Sequence, residues 1–453
     1  MSTTESKYKK QTSLDLLKQE LTDVDKSFLI HLYKLRCLSV DLAFRFFYSR
    51  RRALMPYCED RLFFMVDNGL ITMEQAPGIE TEIIFLTKDG VRYVTTCIDS
   101  AVSGIIREVW NEKEQRMESV VKSAATLRIK PPLIKHQLAL NYFVLEYMEF
   151  ANKNGIEYEY YDMLFAPKCS AKMMPDGVLV LNNKIVLVEM DTGSERGQVL
   201  LRRWESYRVF FARPTPFYDR LPIVILFVLE NNSEKLTRKN TFLRSVCNSG
   251  LISDLDGQPE LYTVRVDEAR TLLQKGFDLK KTNYSLLMPT MKYLTQKCGM
   301  KVYDAIFTKE AGAPSFSYYA ALVKEDTEAV VALDGRRVEY LLDVWDDGRL
   351  SVLHKILYMR RIGQMLQNSP VGRSIPYLVA VPSVMVVASL MKQADIDKLS
   401  SVYFITPDRI AKNLPFYETI FTIDEGMNIK HFTDYSLITP VFEKKYDPSH
   451  PDR

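Results

Sequence analysis

The sequence predicts a multidomain α/β protein, and three observations lead to this prediction. The chain has 453 residues, which is too many for one hydrophobic core. Segments with apolar residues at helical spacing alternate with short runs of strand-forming residues, an order typical of α/β domains. The longest apolar run, Ile223–Leu229, fits a buried strand and is too short to cross a bilayer. We therefore expect several α/β domains and no membrane as a partner.

Composition narrows the classes of function. The chain is 47% hydrophobic and 26% charged, which is ordinary for a globular protein, and its net charge of +3 means that any basic surface must be local. Its cysteines show no CxxC spacing, and neither a glycine-rich phosphate loop nor a GxSxG motif occurs. These features argue against structural zinc, nucleotide hydrolysis and serine-hydrolase chemistry. The polar N-terminus predicts no signal peptide, so we expect a cytoplasmic protein.

A first domain is predicted over residues 21–98, after a flexible N-terminus at 1–20. It contains, in order, a helix capped by Thr22 or Asp23, a helix over 40–47 capped by Ser39, a helix over 57–68 that ends at Gly69, and strands at 70–72 and 83–86. The segment Ala76-Pro77-Gly78 forms the tip between the two strands. This order resembles the winged helix-turn-helix fold, in which such a tip is the wing.

The third helix of that fold usually enters the major groove of DNA, and basic residues flank it here. The candidate contacts to phosphates or guanine edges are Arg50, Arg51, Arg52 and Arg61, with Tyr57 at the helix start. The alternative is a winged helix used for protein docking, because the wing at 78–82 is acidic and Glu59 and Asp60 dilute the positive charge of the helix. We favour contact with double-stranded DNA because the arginine triplet lies next to the third helix.

Residues 99–130 predict a polar, charged connecting helix that ends at Pro131-Pro132. Three roles remain open for it: a linker, a dimerisation surface or a packing strut. The sequence does not predict an oligomeric state.

A second domain is predicted over residues 131–270. It contains, in order, a helix from His136 to Gly155, a strand over 156–161, a hairpin over 178–188 with its turn at Asn182-Asn183, a helix over 197–212, and a strand over 223–229. This helix–strand–hairpin–helix–strand order resembles the core of the restriction-endonuclease-like fold.

The hairpin carries candidate metal ligands. Asp176 and Glu189, on adjacent strands, would sit side by side and share one Mg²⁺ or Mn²⁺. Active enzymes of this fold place a lysine two residues after the glutamate, where this chain has Asp191. Asp191 is therefore either a third oxygen ligand of a more acidic metal site or the mark of a site that no longer catalyses.

A substitute for the missing lysine lies on the following helix. Arg203 and Tyr207 are four residues apart and share one face, so the arginine would clamp phosphate or stabilise a transition state. An active enzyme would then use Asp176, Glu189, Asp191 and Arg203. The alternative is that Asp176 and Asp191 cap turns, while Arg203 pairs with Glu189 or Asp191.

These motifs together resemble one family, the plasmid replication-relaxation proteins of bacteria. The resemblance is carried by His136, by Pro175-Asp176-Gly177, by the block from Glu189 to Glu195, and by Arg203 with Tyr207, and it covers residues 20–230. It implies an N-terminal winged helix joined to a degenerate nuclease-like domain. In that family the Glu-x-Asp-x-Gly block is usual, which makes Asp191 a family feature. It also implies replication or transfer proteins as partners.

Residues 271–440 predict a degenerate second copy of the nuclease-like domain, followed by a tail at 441–453. Residues 329–343 repeat the pattern of 177–191, so that Asp343 matches Asp191 and, further on, Lys355 matches Arg203. Glu328 then replaces Asp176 and Leu341 replaces Glu189. Since leucine cannot bind a metal ion, we expect this copy to be catalytically inactive.

We therefore predict a cytoplasmic, DNA-associated accessory protein of plasmid or mobile-element replication or mobilisation. It would contact DNA through the winged helix and carry a nuclease-like body that is inactive. Two alternatives remain: a nuclease dependent on Mg²⁺ or Mn²⁺, and a transcriptional regulator whose C-terminal half is an oligomerisation or sensing body.

Overall fold

The chain is a mixed α/β protein with several sheets, and it divides into two compact units. The computed structural model describes residues 19–49, 55–97, 107–111, 116–167, 173–193, 197–212, 216–230, 260–278 and 283–303, with shorter stretches between 238 and 249 and between 320 and 434. The first unit comprises Met1–Pro167 with Pro175–Asn182, and the second comprises Lys168–Met174 with Asn183–Arg453. The finer domain boundaries stay a prediction.

The first unit combines a helical N-terminal part with a long helix and, in its described residues, two antiparallel strand pairs. Its described elements are α1 (Asp23–Leu35), β1 (Leu38–Ser39), α2 (Val40–Ala43), α3 (Met55–Asp67), β2 (Ile71–Glu74), β3 (Ile83–Leu86), α4 (Lys88–Cys97), β4 (Arg107–Asn111), β5 (Arg116–Val120), α5 (Ala124–Leu127), α6 (Pro131–Lys153), β6 (Tyr158–Asp162) and β7 (Gly177–Leu181).

Local capping signals set the helix ends of the N-terminal part. Thr22 caps α1, because its hydroxyl accepts from the amide of Asp25 while the Asp25 carboxylate accepts from the amide of Thr22. Ser39 caps α2 by accepting from the amide of Leu42. Both caps confirm the sequence prediction. The second helix then continues as a π-helical turn, Phe44–Tyr48.

A small antiparallel sheet follows these helices, with strand order β1-β3-β2. Gly69 follows α3 and has φ of +68°. This is the left-handed conformation that the sequence predicts at the end of this helix. The side chains of β3 are buried throughout, and the two strands predicted around the tip at 76–78 are present. The N-terminal part therefore has the element order α1, β1, α2, α3, β2, β3.

The predicted connecting helix at 99–130 is wrong. Residues 107–111 and 116–120 form an antiparallel ribbon of β4 and β5, and the short helix α5 follows. Strand-forming Val109, Trp110 and Val120 are spread among the charges, and an alternation of charged and apolar residues suits a ribbon as well as a helix face. The pair Pro131-Pro132 does not end a helix here but begins α6. Proline is tolerated there because the first N–H groups of a helix have no acceptor within the helix.

A strained turn links α1 to β1 and is held by α6. Arg36 has φ of +72°, and the amide of Cys37 donates to the carbonyl of Leu35 across it at 2.9 Å. The side-chain amide of the buried Asn141 donates to the carbonyl oxygens on both sides, Leu35 at 3.0 Å and Cys37 at 2.6 Å. The Arg36 side chain in turn lies 3.5 Å from the carboxylate of Asp162 at the end of β6. The turn thus joins the N-terminal part to α6 and β6.

The second unit contains a parallel strand group and a larger mixed sheet. Its described elements are β8 (Lys184–Asp191), α7 (Gln198–Ala212), α8 (Pro216–Asp219), β9 (Ile223–Leu229), β10 (Glu260–Arg265), α9 (Val266–Gln274), α10 (Tyr284–Gln296), β11 (Met300–Tyr303), β12 (Ala320–Lys324), β13 (Ala332–Leu333), β14 (Arg336–Arg337), β15 (Tyr340–Val344), β16 (Tyr377–Ala380), α11 (Val384–Gln393), β17 (Val402–Ile405), α12 (Pro407–Ala411), α13 (Phe416–Thr419), β18 (Phe421–Ile423) and β19 (Ile429–His431).

The strands of the second unit pair in two groups. The strands β8, β9 and β10 pair in parallel, and β9 is buried at every residue, as a strand covered on both faces must be. The larger sheet has the order β11-β12-β15-β16-β17-β18-β19, with parallel pairing from β15 to β17. No helix in the described part of the chain combines the length and apolar character needed to span a bilayer.

Two stretches of the chain share one order of a leading helix, an antiparallel strand pair and three parallel strands. The first runs through α6, the antiparallel pair β6–β7, and the parallel strands β8, β9 and β10. The second runs through α10, the antiparallel pair β11–β12, and the parallel strands β15, β16 and β17. The duplication stays a prediction, and this shared order supports it.

The residue match predicted for the second hairpin is wrong in one strand. The strand beside β15 is β12, whereas Ala332–Leu333 pairs with Arg336–Arg337 in a separate short ribbon. The residues at 334–335, predicted as the turn, lie outside the described residues. A tight turn pairs the two strand segments that flank it directly. Sequence similarity around the turn therefore does not show which more distant strand lies beside β15 in the sheet.

Asn141→Ala tests the hold of α6 on the Arg36 turn. We expect it to lower the free energy of unfolding by about 1–3 kcal/mol, because two hydrogen bonds to buried carbonyl oxygens are lost. The matched control is Asn154→Ala, whose exposed amide donates to the Phe150 carbonyl, and it should change stability by less than about 0.5 kcal/mol. Equal urea midpoints for the two variants would show that the turn does not depend on Asn141.

Candidate functional site

Two carboxylates lie at the end of β8, where the sequence predicts the site. Glu189 and Asp191 are two residues apart on the strand and therefore share one face. Both are buried, with exposed fractions of 2% and 6%. A carboxylate in such a place needs a cation or several donors to remain charged.

Arg203 and Tyr207 both donate to Glu189. Arg203 donates from Nη1 to Oε2 of Glu189, with 2.5 Å between the nitrogen and the oxygen. The Tyr207 hydroxyl donates to Oε1 at an O···O distance of 2.5 Å. The helical spacing of the two donors on α7 places them on one side, as the sequence predicts. Of the alternatives left open for Arg203, the structure has the pairing with Glu189.

Asp191 has a different arginine partner. Arg238 donates from Nε to Oδ2 at 2.5 Å and from Nη2 to Oδ1 at 2.7 Å, a bidentate pair. The amide of Gly193, at φ of +87°, also donates to the Asp191 carboxylate at 3.0 Å. Sequence reasoning missed Arg238, because no motif or periodicity marks this one arginine within 234–240. Asp191 thus caps a turn, as one predicted alternative has it, and its pairing with Arg238 was not predicted.

Asp176 lies in the first unit, beside His136. The Nε2 atom of His136 is 3.1 Å from Oδ2 of Asp176, so two residues of the predicted motif set are in contact. The carboxylate of Asp162 lies close by, since Asp162 is opposite Gly177 in the β6–β7 register. Sequence reasoning missed Asp162, whose only signal is its position directly after the strand predicted at 156–161.

Burial perturbs the carboxylate of Asp162. Burial raises its pKa to about 6, the Arg36 guanidinium opposes that rise, and the Asp176 carboxylate adds to it. Gln137 and the amide of Leu164 donate to its two oxygens at 2.9 and 3.0 Å. Charge on Asp162 therefore depends on the partners that α6 and the Arg36 turn supply.

The predicted metal set does not fit a cation as arranged. Glu189 and Asp191 already hold one guanidinium each, which a divalent ion would have to displace from buried ion pairs. Within the described residues, no group of three or more His, Cys, Asp or Glu side chains is placed to hold a metal ion. The site for Mg²⁺ or Mn²⁺ at Asp176, Glu189 and Asp191 stays a prediction.

A second buried cluster lies in the larger sheet, around Asp343. Its carboxylate accepts from Lys355 at 2.5 Å, from Arg349 at 2.5 Å and from the Tyr377 hydroxyl at 3.2 Å. Burial lowers the pKa of Lys355, and the neighbouring Asp343 opposes that shift. Arg349 also donates to Glu260 of β10, so it connects the two strand groups of this unit.

The partners of Asp343 resemble those of Glu189. Each carboxylate accepts from a cation that follows it in the chain and from a tyrosine hydroxyl. The sequence match pairs Asp343 with Asp191 instead, because it aligns residues without gaps. By its contacts, Asp343 corresponds to Glu189. Leu341, which the sequence match sets opposite Glu189, is therefore not its counterpart by contacts.

The candidate DNA contacts belong to α3 and to the segment before it in the sequence. Arg50, Arg51 and Arg52 lie outside the described residues, and Tyr57 is 41% exposed. Arg61 is engaged inside the unit: its Nη2 and Nε donate to Asp25 at 2.6 and 3.2 Å. Contact of Arg61 with DNA stays a prediction, but its guanidinium already has a buried partner.

Asp25 is the centre of that internal pair. It is fully buried and also accepts from the hydroxyl of Tyr48 at 2.8 Å, while its second oxygen closes the capping box with Thr22. Sequence reasoning assigned Asp25 no partner, because a cap residue and an arginine in a distant helix show no shared pattern. The ion pair joins the start of α1 to the middle of α3.

Comparisons of the chain with family models, curated proteins and solved structures find no match. The resemblance to the plasmid replication-relaxation family stays a prediction that rests on the motif residues.

Arg203→Met tests whether the ion pair stabilises the end of β8. We expect a loss of about 3–5 kcal/mol in the free energy of unfolding, because Glu189 would be left buried without its cation. Arg202→Met, at the exposed neighbouring position, is the matched control and should change stability by less than about 0.5 kcal/mol. The double variant Glu189→Gln/Arg203→Met should recover much of the loss in urea unfolding. Equal losses in Arg203→Met and Arg202→Met would contradict this role.

Proposed function

We propose that the protein is a DNA-binding accessory factor of plasmid or mobile-element replication or mobilisation, with a nuclease-like body that does not cut DNA. One observation carries the second half of this proposal. The two β8 carboxylates that a nuclease would use for metal binding are closed by the ion pairs Glu189–Arg203 and Asp191–Arg238.

The chemistry of these pairs disfavours cleavage. Activation of a water molecule needs a base or a metal-bound hydroxide, and an arginine is permanently charged and cannot act as the base. Glu189 is also bound by the Tyr207 hydroxyl, so both of its oxygens are engaged. A working nuclease is therefore the weaker proposal.

The DNA-binding part is proposed to be the N-terminal winged helix-turn-helix. Support comes from the element order α1, β1, α2, α3, β2, β3 and from the sheet order β1-β3-β2. The basic triplet Arg50-Arg51-Arg52 ends three residues before Met55, where α3 begins, and the N-terminus of a helix attracts phosphate. Glu59 and Asp60 are exposed further along α3, so the proposed contact is confined to the start of that helix.

Supercoiled plasmid with Mn²⁺ tests the absence of cutting. We expect the wild-type protein to produce no more nicked or linear DNA than Asp176→Ala, because the β8 carboxylates are held by arginines. The measurement is an agarose-gel time course over a range of Mn²⁺ and Mg²⁺ concentrations. Nicking that disappears in Asp176→Ala would overturn the proposal in favour of a metal-dependent nuclease.

The salt dependence of DNA affinity tests the binding surface. Arg51→Ala/Arg52→Ala should weaken duplex binding and reduce the slope of the log association constant against log salt concentration by about 2. The reason is that binding releases about one counterion fewer for each phosphate contact that is lost. Lys153→Ala, at an exposed position at the end of α6, is the control and should leave both quantities unchanged. An unchanged slope in the double variant would place DNA binding elsewhere.

A further inference from the structure

The outward face of α3 has a composition that does not suit DNA. Glu59, Asp60, Phe63 and Asp67 are all exposed, and their spacing places them on one stripe of the helix. Phe63 lies within this stripe with 55% of its surface exposed. A helix that enters the major groove needs donors and cations on this face, and here the face carries carboxylates around an aromatic ring.

The basic residue of α3 does not change the charge of this stripe. Arg61 is the helix's basic residue, and its side chain is only 18% exposed because it pairs with the buried Asp25. Its guanidinium also lies over the ring of Phe64, 4.6 Å from the centroid. The cation is therefore used on the inner flank of α3, and phosphate approaching the stripe would meet negative charge.

An exposed aromatic ring on a helix face is a common centre of a protein-binding surface. Phe63 does not contribute to the core, where Cys58, Leu62 and Met65 occupy the inner face of α3. Aromatic residues of this kind are enriched at the centres of protein interfaces and carry much of the binding energy. Tyr57, 41% exposed and one and a half turns earlier, adds a second ring at the edge of the stripe.

We propose that this face of α3, made up of Glu59, Asp60, Phe63 and Asp67, binds a basic segment of a partner protein. Charge complementarity selects the partner, because an arginine or lysine can stack on the Phe63 ring while the carboxylates accept its N–H donors. DNA is excluded from this face by its charge. The surface is separate from the proposed DNA contact, which uses the arginine triplet before α3.

Peptide binding to the full chain tests this surface. The probe is a fluorescein-labelled amphipathic helix with arginines along one face and leucines along the other, and a matched peptide has glutamates in place of the arginines. Fluorescence anisotropy should show binding of the arginine peptide alone. Phe63→Ala and the triple variant Glu59→Gln/Asp60→Gln/Asp67→Asn should each weaken it at least about tenfold, while Phe63→Tyr retains it.

The chain offers a matched control for the loss of charge. Glu149, Glu157 and Glu159 are exposed carboxylates on α6 and near or within β6, so their replacement by glutamine removes the same charge from another surface. This triple variant should change the affinity for the arginine peptide by less than about twofold. An equal loss in both triple variants would show that only overall charge matters, and that result overturns the proposal.

Binding of duplex DNA tests the other possible ligand of this face. Phe63→Ala should leave duplex affinity unchanged, whereas Arg51→Ala/Arg52→Ala lowers it if the proposed function is correct. Absence of arginine-peptide binding to the wild-type chain at low salt, or an equal loss of peptide and duplex binding in Phe63→Ala, would contradict a protein-binding face. Because duplex binding is measured separately, failure of the DNA proposal would leave the peptide result interpretable.

Discussion

A carboxylate that leaves water stays charged only with a cation or several donors beside it, and this requirement organises the described parts of both units. Five carboxylates are buried there, and each is paired with a cation from another part of the chain: Asp25 with Arg61, Asp162 with Arg36, Glu189 with Arg203, Asp191 with Arg238, and Asp343 with Arg349 and Lys355. Removal of one partner from such a pair costs several kcal/mol. The pairs therefore constrain which helix packs beside which strand.

The same requirement bears on function at the end of β8. A hairpin with two carboxylates has the outline of a metal site, but a carboxylate that already holds a guanidinium offers little to a second cation. Arg238 completes this closure from a segment that no motif marks. The geometry at Glu189 recurs around Asp343 with a lysine in place of the arginine, so the ion-paired arrangement is common to both strand groups of the second unit. This arrangement supports the proposal that the second unit does not cut DNA.

Features that depend on neighbouring residues were predictable from the sequence. The Thr22 and Ser39 caps, the left-handed Gly69 and the buried strand Ile223–Leu229 all occur where local signals place them. The helix predicted at 99–130 failed because a mixture of charged and apolar residues has no unique period, and a ribbon satisfies the same backbone groups by cross-strand pairing. Local propensity is a weak guide for a segment of this composition.

The sequence by itself determined where most helices and strands form and which residues can carry charge or bind cations. It also placed Arg203 and Tyr207 on one helix face, because helical spacing is a property of the local chain. Only the tertiary structure decided that Arg61 faces Asp25, that Arg238 holds Asp191, and that the outer face of α3 is left with carboxylates around Phe63. The physical reason is that the strength of a charge pair depends on burial, and burial exists only once segments distant in sequence have packed together.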